Sequence, residues 1–386
     1  MIRSLRMERF KCFDSLELSL SPLTLFTGLN ASGKSTALQT LLLLAQTLRA
    51  PRASNELRLK GPLANLGTPA DVINRTRGGN EMALGLKTDE AELLWRFNVT
   101  DDARRTLKAT RLEVISGDSI ISEANSFDGL RPRGLGKSCR ETLTALENLI
   151  FLSGTRQMDT DLFPVPEDSE DAIGDVGPLG QFAAWWFHQE GDNPVSSSRG
   201  LRDVQAPKTL RHQVNAWAGD IFPGVEFNAL PVERTSQMRL EIKSDSTSGW
   251  TRPANIGYGI SYAFPTLTAG LTAPAGCTLI IDSPEAHLHP RGQARMGAFL
   301  AQMASAGVQI LLETHSDHVM DGIRIAIREG ILKPEDAAFH YFSRNESTSD
   351  ITTPQIDSDG RLSDWPEGFF DQHRRNMARL VRPKAS

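Results

Sequence analysis

The segment GLNASGKS, residues 28–35, constrains the fold of this chain more than any other stretch of its sequence. It follows an apolar run at residues 23–26, and it precedes apolar residues between Leu38 and Ala45 whose intervals of three and four are typical of one helical face. The segment also fits the pattern G-x-x-x-x-G-K-[ST], in which backbone N–H groups surround a phosphate at the start of a helix. The sequence therefore predicts a strand, a phosphate-binding loop and a helix within its first 50 residues.

The phosphate-binding loop implies particular roles for its residues. We expect the Lys34 ammonium to reach the β- and γ-phosphates of ATP and the Ser35 hydroxyl to bind Mg²⁺. Such a site needs a carboxylate at the end of a neighbouring strand, and Asp282 follows the apolar run 279–281. We therefore predict ATP and Mg²⁺ as cofactors, with Ser35 and Asp282 at the metal. The candidate phosphate-binding residues are Gly28, Asn30, Ala31, Ser32, Gly33, Lys34, Ser35 and Thr36.

The remaining patterns predict an α/β fold with a mixed central sheet. Residues 80–115 alternate as antiparallel strands do, whereas residues 278–317 read as strand, helix, strand and the start of a helix, which indicates parallel pairing with a right-handed crossover. We expect one domain over residues 1–386. Its predicted parts are an N-terminal antiparallel β lobe with the phosphate-binding loop (1–157), a mainly helical insertion (158–250) and a second lobe (251–386).

Charge and cysteine content exclude several other classes of protein. The chain has 42 Lys and Arg against 47 Asp and Glu, a net charge of −5, which argues against a uniformly basic nucleic-acid coat. Its three cysteines form no zinc or disulfide pattern, and neither a signal peptide nor a membrane span is evident, so we expect a cytoplasmic protein without membrane contact. Two basic clusters leave room for a local DNA contact: Arg131, Arg133, Lys137 and Arg140, and Arg374, Arg375, Arg379, Arg382 and Lys384.

Three further segments give the sequence a family resemblance. They are DSPEAHLHP at 282–290, ETHSDH at 313–318 and DWPEGFFD at 364–371. Together with FKCF at 10–13, these segments resemble the ABC-type ATPases of the OLD and RecF-like group, an AAA family with "PEAHLHP" and "ETHSDH" segments. The resemblance implies an ABC-type P-loop NTPase head. Because the chain ends soon after residue 371, we expect no fused Toprim nuclease.

The resemblance also implies roles for residues outside the phosphate-binding loop. Residues 255–261 lie where the group has its ABC signature, so Gly257, Gly259 and Ser261 are expected to engage ATP held by a second copy of the chain. Arg156 and Gln157 are expected to sense Mg²⁺ or nucleotide. The resemblance further implies a homodimer, DNA as a candidate ligand, and a role in DNA-related or anti-phage defence processes. A nuclease or other effector subunit would act in trans.

One position departs from the pattern of many members, which have a glutamate directly after the Mg²⁺ aspartate. This chain has Ser283 there, and a serine cannot act as a carboxylate base. Glu285 or His315, the expected γ-phosphate sensor, is then left to orient the attacking water. The predicted catalytic residues are Lys34, Asp282, Glu285 and His315.

Two other functions are compatible with these residues. An ATP-gated binding or regulatory module with little or no turnover is favoured by Ser283. A metal-dependent hydrolase is favoured by the short histidine spacings His287-x-His289 and His315-x-x-His318.

Overall fold

The computed structural model describes most of the chain. The described residues are 1–50, 55–74, 78–100, 106–116, 119–121, 127–132, 134, 136–156, 160–167, 174–195, 201–202, 205, 207–245, 247–345, 348–366, 368–370 and 372–381. The strands are β1 (Ile2–Phe10), β2 (Phe13–Ser19), β3 (Leu23–Gly28), β4 (Glu81–Thr88), β5 (Glu92–Val99), β6 (Leu107–Ser116), β7 (Ser119–Ile121), β8 (Phe127–Asp128), β9 (Arg131–Pro132), β10 (Ile150–Leu152), β11 (Leu162–Pro164), β12 (Glu226–Pro231), β13 (Gln237–Lys243), β14 (Thr278–Asp282), β15 (Gln309–Glu313), β16 (Ala337–Asn345) and β17 (Thr348–Thr352). The helices are α1 (Lys34–Arg49), α2 (Pro69–Val72), α3 (Lys137–Glu147), α4 (Ala183–Gln189), α5 (Leu210–Ile221), α6 (Tyr258–Thr272), α7 (Pro290–Ser305), α8 (Asp317–Arg328) and α9 (Gln372–Val381).

The central sheet carries strands from both ends of the chain in the order β10-β14-β15-β3-β16-β17. Its strands are parallel except for β17, which pairs antiparallel with β16. Side chains alternate between two hydrophobic cores, since Leu279 and Ile281 of β14 enter one core and Ile280 enters the other. The sheet is therefore covered on both faces, as parallel sheets usually are.

A second, antiparallel sheet forms the N-terminal lobe in the order β2-β1-β4-β5-β6-β7. The apolar residues that alternate along β4 and β5 are buried in one core, together with α1 and one face of the central sheet. Thirteen of the sixteen residues of α1 are buried, which explains why this helix is apolar around most of its circumference. The N-terminal lobe and the mixed central sheet confirm the predicted α/β fold class.

Helices α4 to α8 belong to the core on the opposite face of the central sheet. Two of them, α4 and α5, come from the segment 158–250 that we predicted as a mainly helical insertion. The same segment also forms a three-stranded antiparallel sheet, β11-β13-β12, which the sequence patterns did not reveal. Its buried residues alternate along β12 and β13, the period of a half-buried strand.

Candidate functional site

The loop between β3 and α1 has the backbone conformation that its two glycines permit. Gly28 has φ +133° and Gly33 has φ +108°, values that residues with a side chain rarely adopt. A Cβ atom on Gly28 would lie 2.0 Å from the Phe342 carbonyl oxygen, and one on Gly33 would lie 2.5 Å from the Phe13 ring. The loop therefore fits tightly between the β1–β2 hairpin and β16.

Lys34 is folded back over this loop. Its Nζ donates hydrogen bonds to the carbonyl oxygens of Leu29 (2.8 Å) and Gly28 (3.2 Å), and the residue is only 4% exposed. Burial lowers the pKa of Lys34, against the opposing effect of Glu313 and Asp282. Ser32, another predicted phosphate-binding residue, donates its hydroxyl proton to Leu29 O at 2.7 Å.

A cavity of about 350 Å³ opens in front of the loop. Its lining includes the predicted residues Ala31, Ser32, Gly33, Lys34, Ser35 and Thr36, and it also includes Lys11, Cys12 and Gln39. Lys11 Nζ donates to Gln39 Oε1 at 2.8 Å, and burial lowers the pKa of Lys11. Sequence reasoning gave Lys11 and Gln39 no role. The signal that could have found Lys11 was its place in the FKCF segment.

Two acidic residues near Lys34 end adjacent parallel strands. Asp282 ends β14 and is in register with Glu313, which ends β15. Ser35 Oγ donates to Glu313 Oε1 at 2.9 Å, and Ser283 Oγ donates to Asp282 Oδ1 at 2.8 Å. Oxygen donors of this kind suit Mg²⁺, so the residues present fit the predicted metal. Sequence reasoning missed Glu313, although it lies in the ETHSDH segment.

Glu313 is buried and not closely paired. It is 6% exposed, and its Oε1 lies 4.0 Å from Lys34 Nζ. Burial, and then the neighbouring charge of Asp282, raise the pKa of Glu313 to about 7, although the Ser35 hydrogen bond and the Lys34 ammonium act in the opposite direction. An isolated carboxylate in such a place is unfavourable unless a cation or a proton compensates it.

The predicted residues Glu285 and His315 are in contact through a backbone group. Glu285 Oε1 accepts a hydrogen bond from the His315 backbone N–H at 2.9 Å, whereas its buried Oε2 has no hydrogen-bond partner within the described part of the chain. The pKa of His315 is lowered mainly because burial removes water from the ring, and in second place by the positive charge of Lys34. Glu285 is thus placed to position His315, whose exposed imidazole lies near the phosphate-binding loop.

Arg156, which is predicted to sense Mg²⁺ or nucleotide, is buried and hydrogen-bonded within the chain. The residue is 3% exposed, and its guanidinium nitrogens donate to the carbonyl oxygens of Ser153, Tyr262 and Asp282 and to Thr266 Oγ1, over 2.9–3.2 Å. Its guanidinium also lies 4.0 Å from the centre of the Tyr262 ring. These groups take four of the five N–H donors of Arg156, so the side chain joins β14 to α6 within the chain. Gln157 lies outside the described residues.

The predicted signature segment is divided between an exposed and a buried part. Helix α6 begins at Tyr258, inside this segment, and Ser261 is fully buried with its Oγ unpartnered among the described residues. Gly259 is buried too, and a Cβ there would lie 2.3 Å from the His287 carbonyl oxygen. Both residues therefore serve the packing of α6. Gly257 is exposed at the helix start, next to the exposed Asn255, which sequence reasoning did not single out.

Several other predictions fall on the remaining surface. Lys137 pairs with Glu141 at 3.6 Å, and Arg131 pairs with Glu147. Arg133, Arg382, Lys384 and the side chains of Arg374 and Arg375 lie outside the described residues. Among the described residues, no group of three or more His, Cys, Asp and Glu side chains is arranged to hold a metal ion. None of the described helices has the length and apolar character that crossing a membrane requires.

A phosphate-binding loop between a strand and a buried helix, facing carboxylates on neighbouring parallel strands, defines the class of P-loop NTPases. Three segments of the chain also match known families. Residues 4–159 match the family described as "AAA domain", and residues 160–321 match "AAA domain, putative AbiEii toxin, Type IV TA system". Residues 332–380 match "Protein of unknown function (DUF3696)". No curated protein matches the sequence.

The solved structures that are similar to this chain include SMC heads. The Smc head domain with an extended coiled coil bound to the C-terminal domain of ScpA, derived from Pyrococcus furiosus, is similar with a TM-score of 0.55 at 13% identity, over 99% of each chain. The SmcHead bound to the C-winged helix domain of ScpA is similar with a TM-score of 0.50 at 13% identity, over 92% of this chain and 98% of that one. The chain thus shares the fold of SMC heads, and the two AAA-domain matches agree with a P-loop ATPase.

Proposed function

We propose that this chain is a Mg²⁺-dependent ABC-type ATPase that binds and hydrolyses ATP between two copies of itself. The observation that carries the proposal is the convergence of Lys34, Ser35, Asp282 and Glu313 at one edge of the central sheet. An ammonium, a hydroxyl and two carboxylates in this arrangement suit a nucleotide phosphate and its divalent cation.

The residues around the loop would divide the work of binding. Lys34 exchanges its present contacts with the loop carbonyls for phosphate oxygens, and the backbone N–H groups at the start of α1 orient the phosphates. Ser35 and Asp282 would hold Mg²⁺, which neutralises phosphate charge when it is bound. Glu285 positions His315 beside the loop, where its neutral imidazole can accept a hydrogen bond from water or donate one to a phosphate.

The exposed start of α6 supports the proposal of a homodimer. Asn255, Gly257 and Tyr258 are exposed there, at a helix N-terminus that favours anionic ligands. In the dimer that the sequence resemblance implies, this end of α6 engages ATP bound to the other copy. The buried Gly259 and Ser261 keep α6 in place and do not themselves touch that nucleotide.

ATP hydrolysis and oligomeric mass, measured with and without DNA, test the proposal. We expect Lys34→Ala to lower turnover at least ~100-fold and to abolish the ATP-dependent mass change, because it removes the cation that meets the phosphates. Lys333→Ala changes an exposed lysine and serves as the matched control. A wild-type protein that neither binds ATP nor changes mass with it would contradict the proposal.

A second candidate function is an ATP-gated module with little turnover. It is favoured by the structure around Ser283, whose hydroxyl is bonded to Asp282 while the nearby Glu285 is engaged with the His315 backbone. Ser283 offers no carboxylate, and one of the two Glu285 oxygens is already engaged. Tight ATP binding with ATP-dependent dimerisation but negligible phosphate release would favour this function over hydrolysis.

The wider biological role is proposed on similarity alone. We assign the chain to the OLD and RecF-like group, acting in the cytoplasm in DNA-related or anti-phage defence processes with an effector subunit in trans. The words "toxin" and "Type IV TA system" in one matching family description agree with a partner protein. We also propose that residues 1–386 form one ATPase domain. Copurification with a partner encoded nearby, and its loss in a Gly257 variant, would test the assembly.

A further inference from the structure

We propose that Glu313 is a second carboxylate of the Mg²⁺ site, which supplies beside Asp282 the negative charge that Ser283 does not. This inference rests on the proposed ATP-binding function. Glu313 is the first residue of the ETHSDH segment, but neither the motifs nor the family resemblance gives it a role.

The topology of the sheet places Glu313 at the centre of the site. Strand β15 lies between β14 and β3, so the end of β15 is flanked by Asp282 on one side and by the strand leading into the phosphate-binding loop on the other. The register pairs Glu313 with Asp282 across β14 and with Phe26 across β3. A ligand that bridges Asp282 and Ser35 must therefore lie close to Glu313.

The hydrogen bond between Ser35 and Glu313 has the direction that metal binding by Ser35 requires. Ser35 Oγ donates its proton to Glu313 Oε1 at 2.9 Å, which leaves the oxygen lone pairs of the hydroxyl free for a cation. Glu313 thus orients the Ser35 lone pairs, and its carboxylate adds negative charge beside the place where the cation would bind. Groups that orient metal ligands in this way affect metal affinity about 10–100-fold when they are changed.

A purely structural ion pair does not account for Glu313. Among the described residues, the cation paired with it is Lys34, whose Nζ is 4.0 Å away and donates its hydrogen bonds to Gly28 O and Leu29 O. Glu313 and Asp282 together carry two carboxylates against this one ammonium, and Glu313 is 6% exposed. A divalent cation restores the balance of charge that Lys34 alone does not provide.

Glu285 is the other acidic side chain near the site, and its contacts point to a different role. Its Oε1 accepts from the His315 backbone N–H at 2.9 Å, so it acts on the loop that follows β15. No hydrogen bond joins it to Ser35 among the described residues. The geometry therefore favours Glu313 over Glu285 as the second carboxylate at the metal.

Mn²⁺, as a spectroscopic substitute for Mg²⁺, tests the inference in the full-length protein. Binding of a fluorescent ATP analogue is measured first in EDTA and then as a function of Mn²⁺, and the bound Mn²⁺ is observed by electron paramagnetic resonance. For Glu313→Gln we expect the half-saturating Mn²⁺ concentration to rise about 10–100-fold, with metal-free nucleotide binding retained. Glu313→Asp keeps the charge on a shorter side chain, and we expect a smaller rise.

Two controls make the result interpretable. Asp282→Asn should weaken Mn²⁺ binding, whereas Glu329→Gln, a change in an exposed carboxylate, should leave it unaltered. If Glu313→Gln keeps wild-type Mn²⁺ affinity while Asp282→Asn loses it, the proposed role of Glu313 is overturned. The proposed ATP-binding function is not affected by that result. A wild-type protein that binds no nucleotide in either condition overturns the proposed ATPase itself.

Discussion

Two buried charged clusters meet at the carboxyl edge of the central sheet, and they differ in how their charges are satisfied. Around Arg156, the guanidinium is surrounded by carbonyl oxygens, a hydroxyl and the face of Tyr262. Around Lys34, one ammonium faces two carboxylates at the strand ends and donates to the loop itself. Groups of the chain itself satisfy the charge of Arg156 in the first cluster, whereas the second cluster has more negative than positive charge. We infer that the Arg156 cluster is a fixed frame and that the Lys34 cluster is arranged for a ligand.

The largest expected effect is a loss of stability on changing Arg156, which tests whether its cluster is a fixed part of the fold. Arg156→Ala should lower the free energy of unfolding by about 3–5 kcal/mol, because several buried carbonyl oxygens lose their donor at once. Arg3→Ala removes an exposed arginine that pairs with Asp89, so it should cost about 1 kcal/mol or less. Urea denaturation measures both values. Equal losses for the two variants would mean that Arg156 contributes no more than a surface charge.

The next comparison separates two glycines of the signature segment. Gly259→Ala should destabilise the protein by about 3 kcal/mol, since its Cβ would meet the His287 carbonyl oxygen at 2.3 Å. Gly257→Ala has nothing within 4 Å of the added Cβ, so its stability should change by about 0.5 kcal/mol or less. Thermal denaturation gives the stability, and light scattering gives the ATP-dependent mass. Loss of dimerisation in the stable Gly257 variant would tie that residue to the interface, and unchanged dimerisation would remove it.

A smaller effect tests the charge imbalance at the ligand site. Because the folded-state pKa of Glu313 is raised from 4.5 to about 7, its stabilising contribution is fully present below pH 4.5 and is lost as the pH rises through about 7. In metal-free buffer, we expect the wild type to lose about 2 kcal/mol relative to Glu313→Gln between pH 5.5 and pH 8. Chemical denaturation at several pH values measures this difference. If the difference in free energy of unfolding between the two proteins stays constant from pH 5.5 to pH 8, the site does not carry the excess negative charge that we infer.

The parts of the molecule that the sequence predicted are those encoded by neighbouring residues. The phosphate-binding loop, Asp282 at the end of β14 and the parallel strands of the last third each follow from a local pattern, and the structure contains them. Glu313 was missed because its importance depends on β15 lying between β14 and β3. The order of strands in a sheet is a long-range property that no local pattern records.

The surroundings of the other predicted site residues depend on long-range packing in the same way. Arg156 and Ser261 have residue types that suit phosphate binding, but their burial depends on how α6 packs against the loop after β14. Gly259 is predicted to engage ATP, whereas the close approach of the His287 backbone by itself accounts for a glycine there. The sheet β11-β13-β12 was missed because its short strands lie within a segment of mixed pattern.

The burial of α1 has a mechanical consequence. This helix starts at the phosphate-binding loop, and thirteen of its sixteen residues are enclosed between the antiparallel sheet and the central sheet. A close-packed helix cannot slide independently of its surroundings, so a displacement of Lys34 would be shared by both sheets that enclose α1. A change at the phosphate-binding loop therefore cannot stay confined to the loop.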